Sequence, residues 1–208
     1  MTLPFIHPCT IVLAGSSNSG KTELTKRILE NREQMFRPAA EKVIWCYSEC
    51  QPSYNDILNV EFHEGLYDID TLDTTKRTLI IFDDLSQDES VDKEMVKIFT
   101  KLSHHRNVSC IYITQNLFDK NKYRRTISLN ASYIIVMSSP RDRLQISFLA
   151  RQVYPTRSKF LVEAYQSATS SPHGYLLMDF TQSCPEEYRV RTNILPHEET
   201  VVYVSKKK

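Results

Sequence analysis

The sequence predicts an α/β fold with a mainly parallel central sheet flanked by helices. Three observations support this prediction. Short apolar runs alternate with longer helix-patterned segments, most of the runs are apolar on both faces, and a glycine-bounded loop joins the first run to the first helical segment. Strands that are covered on both faces, as in parallel sheets, give continuous apolar runs rather than an alternation of apolar and polar residues.

The predicted elements follow in chain order. The strands, which are rich in β-branched residues, are Cys9–Ala14, Val43–Tyr47, Thr78–Phe82, Val108–Ile113, Ser132–Met137 and Gly174–Phe180. The helices are Lys21–Glu33, Val91–Leu102, Arg143–Gln152 and Ser158–Ala168. In the third helix, Leu144, Phe148 and Leu149 lie near helical spacing. The acidic, irregular segment 51–75 is predicted as a loop, and Lys206–Lys208 as a basic tail.

Length and composition restrict the class of protein. The chain of 208 residues is 41% hydrophobic and 25% charged, which excludes a wholly disordered protein and is enough for one α/β domain. No run approaches the roughly 20 apolar residues that cross a bilayer, so no membrane association is expected. No secretion signal is visible at the start. Five cysteines without framework spacing favour reduced thiols and an intracellular protein.

Charge is distributed unevenly along the chain. The first 104 residues carry 11 Lys and Arg against 17 Asp and Glu, whereas the last 104 carry 15 against 8, and the net charge is +1. A polyanion such as a nucleic acid would therefore be met mainly by the second half. The alternative is that the two halves neutralise each other within the fold.

The strongest motif is a phosphate-binding loop. The segment GSSNSGKT matches G-x-x-x-x-G-K-[ST] and lies between a predicted strand and a predicted helix, as the motif requires. Gly15 and Gly20 permit backbone angles that let N–H groups turn inward around a phosphate, next to the positive end of the helix. Lys21 supplies a charge for the β- and γ-phosphates, and Thr22 is placed to ligate Mg²⁺. The predicted phosphate-binding residues are Gly15, Ser16, Ser17, Asn18, Ser19, Gly20, Lys21 and Thr22.

Two acids follow the third predicted strand. Asp83 and Asp84 come directly after the apolar run LIIF. In a fold with a phosphate-binding loop, the first acid at such a strand end faces Mg²⁺, and we assign this role to Asp83. Asp84 is then the candidate that orients or deprotonates the attacking water. An alternative is that Asp84 caps the next helix, although Ser86, Asp88 and Ser90 are better placed to do so.

The fourth predicted strand has a polar residue near each end. Gln115 lies just beyond its carboxyl end, where ligands bind in open parallel sheets, so it is placed to contact the attacking water or the γ-phosphate. Arg106 lies before the opposite end, and about six residues of strand span roughly 20 Å. Arg106 is therefore expected to reach the nucleotide of a neighbouring subunit, as an arginine finger supplied in trans. The alternatives are a strand-end amide with satisfied hydrogen bonds for Gln115 and a solvated side chain for Arg106.

Together, the phosphate-binding loop, the paired acids, Arg106 and Gln115 resemble the FtsK/HerA superfamily of DNA-translocating ATPases. The resemblance covers residues 9–150. Asp84, where many translocating ATPases have Glu, and the segment IYITQN are most similar to the viral genome-packaging branch, which includes poxvirus-type and Polinton-type packaging ATPases.

This resemblance implies a RecA-like (ASCE) P-loop NTPase that uses ATP and Mg²⁺. It implies a homo-oligomeric ring that pumps double-stranded DNA into a capsid. The partners would be the DNA and a capsid or portal protein. The location would be the cytoplasm or nucleus of a host cell, with association with the virion.

Two basic series are weaker signals. Lys120, Lys122, Arg124 and Arg125 surround Tyr123, and a basic loop with an aromatic ring suits a DNA backbone. A solvated surface loop is the alternative. The second series, which would supply the finger if Arg106 does not, is Arg141, Arg143, Arg151 and Arg157.

The sequence thus predicts residues 1–208 as a single P-loop ATPase domain, with an unassigned C-terminal extension from about residue 155. The predicted activity is Mg²⁺-dependent ATP hydrolysis that drives DNA translocation. One alternative is a kinase that transfers the γ-phosphoryl group to a nucleoside monophosphate, with a lid at Arg141–Arg157. Another is a nucleotide-dependent assembly switch that is not a motor. The paired acids and Gln115 favour water as the acceptor.

Overall fold

The computed structural model describes residues 3–85, 89–102, 106–118, 121–139 and 144–205. Its strands are β1 (Phe5–Ile6), β2 (Thr10–Ala14), β3 (Phe36–Arg37), β4 (Lys42–Tyr47), β5 (Glu61–Glu64), β6 (Thr78–Asp83), β7 (Val108–Thr114), β8 (Tyr133–Met137), β9 (Tyr175–Asp179), β10 (Val190–Thr192) and β11 (Val201–Val202). Its α-helices are α1 (Lys21–Glu30), α2 (Arg32–Met35), α3 (Glu89–Lys97), α4 (Lys122–Leu129), α5 (Leu144–Val153) and α6 (Ser158–Ala168). No helix within these described ranges has both the length and the apolar character needed to cross a membrane.

Within the described residues, nine strands form one sheet in the order β11-β10-β9-β8-β2-β7-β6-β4-β5. The strands from β8 to β5 in this order pair in parallel, whereas β9, β10 and β11 extend the sheet through antiparallel pairs. The short strands β1 and β3 pair separately. The prediction of an α/β fold with a mainly parallel sheet is therefore confirmed, and the C-terminal third continues this same sheet.

The order of the strands brings three strand ends together. β7 lies between β2 and β6, with Ala14 opposite Thr114 and Asp83 opposite Ile113. Because these strands are parallel and in register, their carboxyl ends meet at one edge of the sheet. The segments that follow them, the phosphate-binding loop, the paired acids and Gln115, consequently lie side by side.

Apolar side chains are buried on both faces of the sheet. Along β2, Ile11 and Leu13 belong to the cluster that packs under α1, whereas Val12 and Ala14 belong to the cluster covered by α3, α5 and α6. Both faces of the strand are covered, which explains why its sequence is apolar throughout.

The described helices differ from the predicted ones at several ends. The first helix ends at Glu30, because Asn31 is its C-cap. The backbone N–H and the side-chain amide of Asn31 both donate to the Arg27 carbonyl. The second begins at Glu89, and its last residues form a wider π-type turn, Ile98–Leu102.

Two segments predicted as loops contain regular structure. Lys122–Leu129 is the helix α4, whose N-cap Asn121 accepts a hydrogen bond from the Tyr123 N–H at 2.8 Å. The prediction of a basic loop here was wrong, and the capping asparagine is the signal that could have indicated the helix. In segment 51–75, the edge strand β5 lies between short 3₁₀ turns at Pro52–Asp56 and Ile69–Thr71. Its sequence EFHE is too polar to be recognised as a strand.

A buried ion pair joins two strands of the C-terminal third. Both terminal guanidinium nitrogens of Arg191 lie 3.1 Å from Asp179 Oδ2, and Nη1 also donates to the Tyr188 carbonyl at 2.7 Å. The side chains are 1% and 7% exposed. Removing one partner of such a pair leaves an uncompensated buried charge, which is far more costly than removing an exposed pair.

We expect Asp179→Ala to lower the free energy of unfolding by about 3–5 kcal/mol. The matched control is Glu163→Ala, which removes a carboxylate from the exposed pair with Lys159 at 3.6 Å and should cost under about 0.5 kcal/mol. Urea denaturation of the three proteins checks this prediction. Equal stability of the two variants would show that the buried pair contributes no more than a surface one.

Candidate active site

The phosphate-binding loop connects β2 to α1 through a conformation that depends on its two glycines. Gly20 is the N-cap of α1 and has φ 100°, in the left-handed region that favours glycine. A β-carbon on Gly15 would lie 2.6 Å from Met137 Cβ and 2.7 Å from Ser19 Oγ, which is too close for either neighbour. The tight loop therefore accounts for both glycines of the motif.

The side chain of Lys21 folds back over the loop. Its Nζ donates to the carbonyls of Gly15 at 2.7 Å and Ser16 at 2.9 Å. Burial lowers the pKa of the Lys21 ammonium, while the charges of Asp83 and Asp84 act in the opposite direction. The lysine is thus held between the loop and the two acids, in reach of a phosphate bound there.

A buried hydroxyl without a hydrogen-bond partner indicates whether the loop fits a phosphate. Ser19 is 8% exposed, and its Oγ has no hydrogen-bond partner among the described residues. The first N–H groups of α1 likewise lack intrahelical acceptors. A phosphate oxygen would satisfy both kinds of donor, so the loop fits this ligand.

The two acids occupy different environments. Asp83, the last residue of β6, is 5% exposed, and its Oδ2 accepts a hydrogen bond from the Tyr54 hydroxyl at 2.9 Å. Burial raises the pKa of Asp83, and the Tyr54 hydrogen bond opposes this. Asp84 is exposed and has φ 51°, a left-handed conformation that is uncommon outside glycine and is found at functional sites.

Gln115 connects the loop to the second acid. Its Nε2 donates to Asp84 Oδ2 at 3.3 Å, and its Oε1 accepts from Ser17 Oγ at 3.4 Å. The amide therefore lies between the phosphate-binding loop and Asp84. A bound γ-phosphate or its attacking water would replace one of these two hydrogen bonds of Gln115.

These groups surround one open cavity of about 440 Å³. Its lining comprises Ser17, Asn18, Gly20, Lys21, Thr22, Glu23, Lys26, Gln51, Ser53, Asp83, Asp84, Ile113, Thr114 and Gln115. The structure thus brings together all predicted site residues except Arg106, with Gly15, Ser16 and Ser19 in the adjoining loop.

Sequence reasoning missed several neighbours of this cavity. Gln51 and Ser53 line it from the turn after β4, and Tyr54 contacts Asp83. His173, in the loop before β9, places Nδ1 3.1 Å from the Ser19 carbonyl. Because a carbonyl only accepts, this nitrogen donates and supports the loop. No local motif marks any of these residues.

Arg106 lies away from the cavity. It precedes β7, whose far end leads to Gln115, and its Nη2 is 2.6 Å from Asp70 Oδ1. The side chain of Arg106 is 33% exposed and that of Asp70 is 68% exposed. A seven-residue strand separates the two ends, about 20 Å at the usual rise. Arg106 and the cavity therefore lie at opposite ends of β7, and a role for Arg106 at the nucleotide of a neighbouring subunit stays a prediction.

The other basic residues take different positions. Within α4, Lys122 Nζ lies 4.8 Å from the centre of the Tyr123 ring, and Arg124 Nε lies 3.4 Å from the buried Asp92. Arg157 donates to Ser205. The residues of the two basic series that lie outside the described part of the chain are Lys120, Arg141 and Arg143.

The two acids should respond differently to loss of charge. We expect Asp84→Asn to keep ATP binding and to slow hydrolysis by at least about 100-fold, because an amide cannot accept a proton from water. Asp83→Asn should instead weaken Mg²⁺-dependent nucleotide binding. Binding of a fluorescent ATP analogue and release of phosphate measure these effects, with the exposed Asp73→Asn as control. If the Asp83 and Asp84 variants behave alike, the division of roles is wrong.

No protein-family profile matches the sequence, and no curated protein matches it either. Solved structures are similar to it at low sequence identity. The DNA-packaging ATPase B204 from Sulfolobus Turreted Icosahedral Virus is 13% identical with a TM-score of 0.50, over 96% of this chain and 98% of that one. Flagellar accessory protein FlaH from Methanocaldococcus jannaschii is 11% identical with a TM-score of 0.51, over 97% of this chain and 92% of that one.

The cytoplasmic domain of the Type VII secretion ATPase EccC from Thermomonospora curvata is also similar. It is 14% identical with a TM-score of 0.57, and the match covers 85% of this chain but only 24% of that one. The likeness to these proteins confirms the predicted fold class, a RecA-like P-loop fold with a mainly parallel central sheet flanked by helices.

Proposed function

We propose that the protein is a Mg²⁺-dependent ATPase, an ATP phosphohydrolase. The observation that carries this proposal is the meeting of the phosphate-binding loop, the two acids and Gln115 around one cavity. Gln115 bridges Ser17 of the loop and Asp84, so the acid is aligned on the side of the cavity where a γ-phosphate would lie. A site with two acids and an amide beyond the phosphate loop suits a water nucleophile.

Each residue then has one role. Lys21 and the backbone of the loop hold the β- and γ-phosphates, Asp84 orients or deprotonates water, and Gln115 responds to the presence of the γ-phosphate. The Thr22 hydroxyl and the Asp83 carboxylate are the oxygen donors that would hold Mg²⁺, a cation that prefers such ligands. When bound, Mg²⁺ neutralises phosphate charge.

We further propose that hydrolysis drives translocation of double-stranded DNA, as in packaging of a viral or virus-like genome into a capsid. The similarity to B204, a viral DNA-packaging ATPase, spans nearly the whole of both chains and supports this proposal. The basic second half of the sequence suits a polyanionic partner. Residues 1–208 act as one ATPase domain in a homo-oligomeric ring, with a capsid or portal protein as a further partner.

The test is ATP hydrolysis measured with and without linear double-stranded DNA, alongside solution mass with a non-hydrolysable ATP analogue. We expect DNA to stimulate hydrolysis and the ATP analogue to produce a larger assembly. Lys21→Ala is the inactive control. Phosphoryl transfer to an added nucleoside monophosphate would overturn the proposal in favour of a kinase. Slow turnover that DNA leaves unchanged, together with a nucleotide-dependent change in mass, would overturn it in favour of an assembly switch.

A further inference from the structure

A tyrosine outside every predicted motif contacts the acid assigned to Mg²⁺. The hydroxyl of Tyr54 donates to Asp83 Oδ2 at 2.9 Å, and the two side chains are 4% and 5% exposed. Tyr54 belongs to the 3₁₀ turn Pro52–Asp56, which follows β4, the neighbour of β6 in the sheet. The contact therefore comes from the β4 side of β6, whereas β2, which leads into the phosphate-binding loop, lies on the other side of β6.

An aromatic cluster fixes the position of this hydroxyl. The Tyr54 ring stacks on Phe62 with centres 5.5 Å apart and planes 22° apart, and it lies 5.3 Å from the fully buried Trp45 and 5.7 Å from Tyr47. These residues come from β4 and from the edge strand β5. Aromatic contacts of this kind leave the ring little freedom to rotate away.

The turn itself restrains the tyrosine backbone. The Tyr54 N–H donates to the Gln51 carbonyl at 3.0 Å, and the Ile57 N–H donates to the Tyr54 carbonyl at 3.0 Å. Backbone and ring are thus both held before any ligand arrives. Precise orientation of a functional carboxylate requires a supporting group that is itself held in this way.

We propose that Tyr54 is a positioning residue, whose hydroxyl orients the Asp83 carboxylate for the Mg²⁺ of bound nucleotide. A hydrogen bond to Oδ2 restricts rotation of the carboxylate, and Oδ1 would then be the oxygen presented to the cation. Partners of metal-ligating carboxylates commonly act in this way, and their loss typically lowers metal affinity by about 10–100-fold. This inference rests on the proposed Mg²⁺-ATP function.

The test compares Tyr54→Phe with the native protein. Phenylalanine keeps the ring and its aromatic contacts and removes the hydroxyl. Affinity for a fluorescent ATP analogue is measured first in EDTA and then across a Mg²⁺ titration. We expect unchanged affinity in EDTA and a Mg²⁺ midpoint raised by about 10-fold or more. The ratio of the two affinities is taken on folded protein, so a loss of stability alone leaves it unchanged.

A matched control removes the same chemical group elsewhere. Tyr154, 8% exposed, donates its hydroxyl to Glu186 Oε1 at 3.2 Å, in a cavity that Met178 and Phe180 also line. Tyr154→Phe therefore also loses a tyrosine–carboxylate hydrogen bond, and it should leave the Mg²⁺ midpoint unchanged.

A double variant shows whether the tyrosine acts through Asp83. If the tyrosine acts through Asp83, the double variant Tyr54→Phe/Asp83→Asn should have the same Mg²⁺ midpoint as Asp83→Asn alone. A native-like midpoint in Tyr54→Phe, or full additivity in the double variant, would overturn the positioning role and leave the proposed function intact. A native protein that binds the analogue without any gain from Mg²⁺ would instead overturn the proposed function itself.

Discussion

Replacing Lys21 by Ala should abolish ATP turnover while the protein stays folded. The Lys21 ammonium lies over the loop, bound to the Gly15 and Ser16 carbonyls and attracted by Asp83 and Asp84. It is the cation in this cavity best placed to neutralise the γ-phosphate as charge develops. Removing one such preorganised group typically costs at least about 10²–10³-fold in rate, and we expect a loss large enough that turnover is no longer detected.

Phosphate release and thermal unfolding measure activity and folding of this variant. The matched control is Lys159→Ala, which removes a lysine that is 89% exposed and lies on α6. The control should keep full activity. Near-native turnover in a folded Lys21→Ala protein would show that Lys21 does not contribute to hydrolysis.

Arg106→Ala should keep ATP binding and lose turnover. Arg106 and Gln115 lie beyond opposite ends of β7, so Arg106 faces away from its own cavity. A closed head-to-tail ring would bring that edge against the nucleotide of the neighbour. The pair with Asp70 is exposed and therefore costs little to break. An arginine finger is worth about 10³–10⁵-fold in rate, which sets the expected loss.

Mixing variants tests whether the arginine acts between subunits. The Lys21→Ala protein supplies an intact Arg106, and the Arg106→Ala protein supplies an intact loop, so mixed rings contain some complete interfaces. Activity should partly return on mixing, whereas Arg32→Ala, a control in α2, should be active alone. Failure to recover activity, with co-assembly demonstrated, would exclude a finger at Arg106 and favour the arginines between 141 and 157.

The site residues that could be predicted from the sequence are those with a recognisable pattern in the residues next to them. The loop, the paired acids and Gln115 each follow an apolar run directly, and parallel strands in register bring their ends to one edge. Strand identity and residue type therefore suffice to predict that these groups meet. The same reasoning places Arg106 at the opposite edge, since it precedes β7 rather than following it.

The missed residues depend on contacts between distant segments. Tyr54 reaches Asp83 across 29 positions, and His173 reaches Ser19 across 154. Neither has a local pattern, because the contact is set by how the turn after β4 and the loop before β9 pack on the sheet. The short strands β10 and β11 were also missed. They have three and two residues, too few to show an alternation of apolar and polar side chains.

Displacement of a third-strand oligonucleotide from double-stranded DNA distinguishes translocation from ATP hydrolysis alone. A translocating ATPase strips such a strand from the duplex as it passes. We predict displacement by the native protein that requires both ATP and Mg²⁺ and that is absent from Lys21→Ala. Hydrolysis of ATP on the same DNA with the third strand left in place would show that the protein does not translocate along DNA.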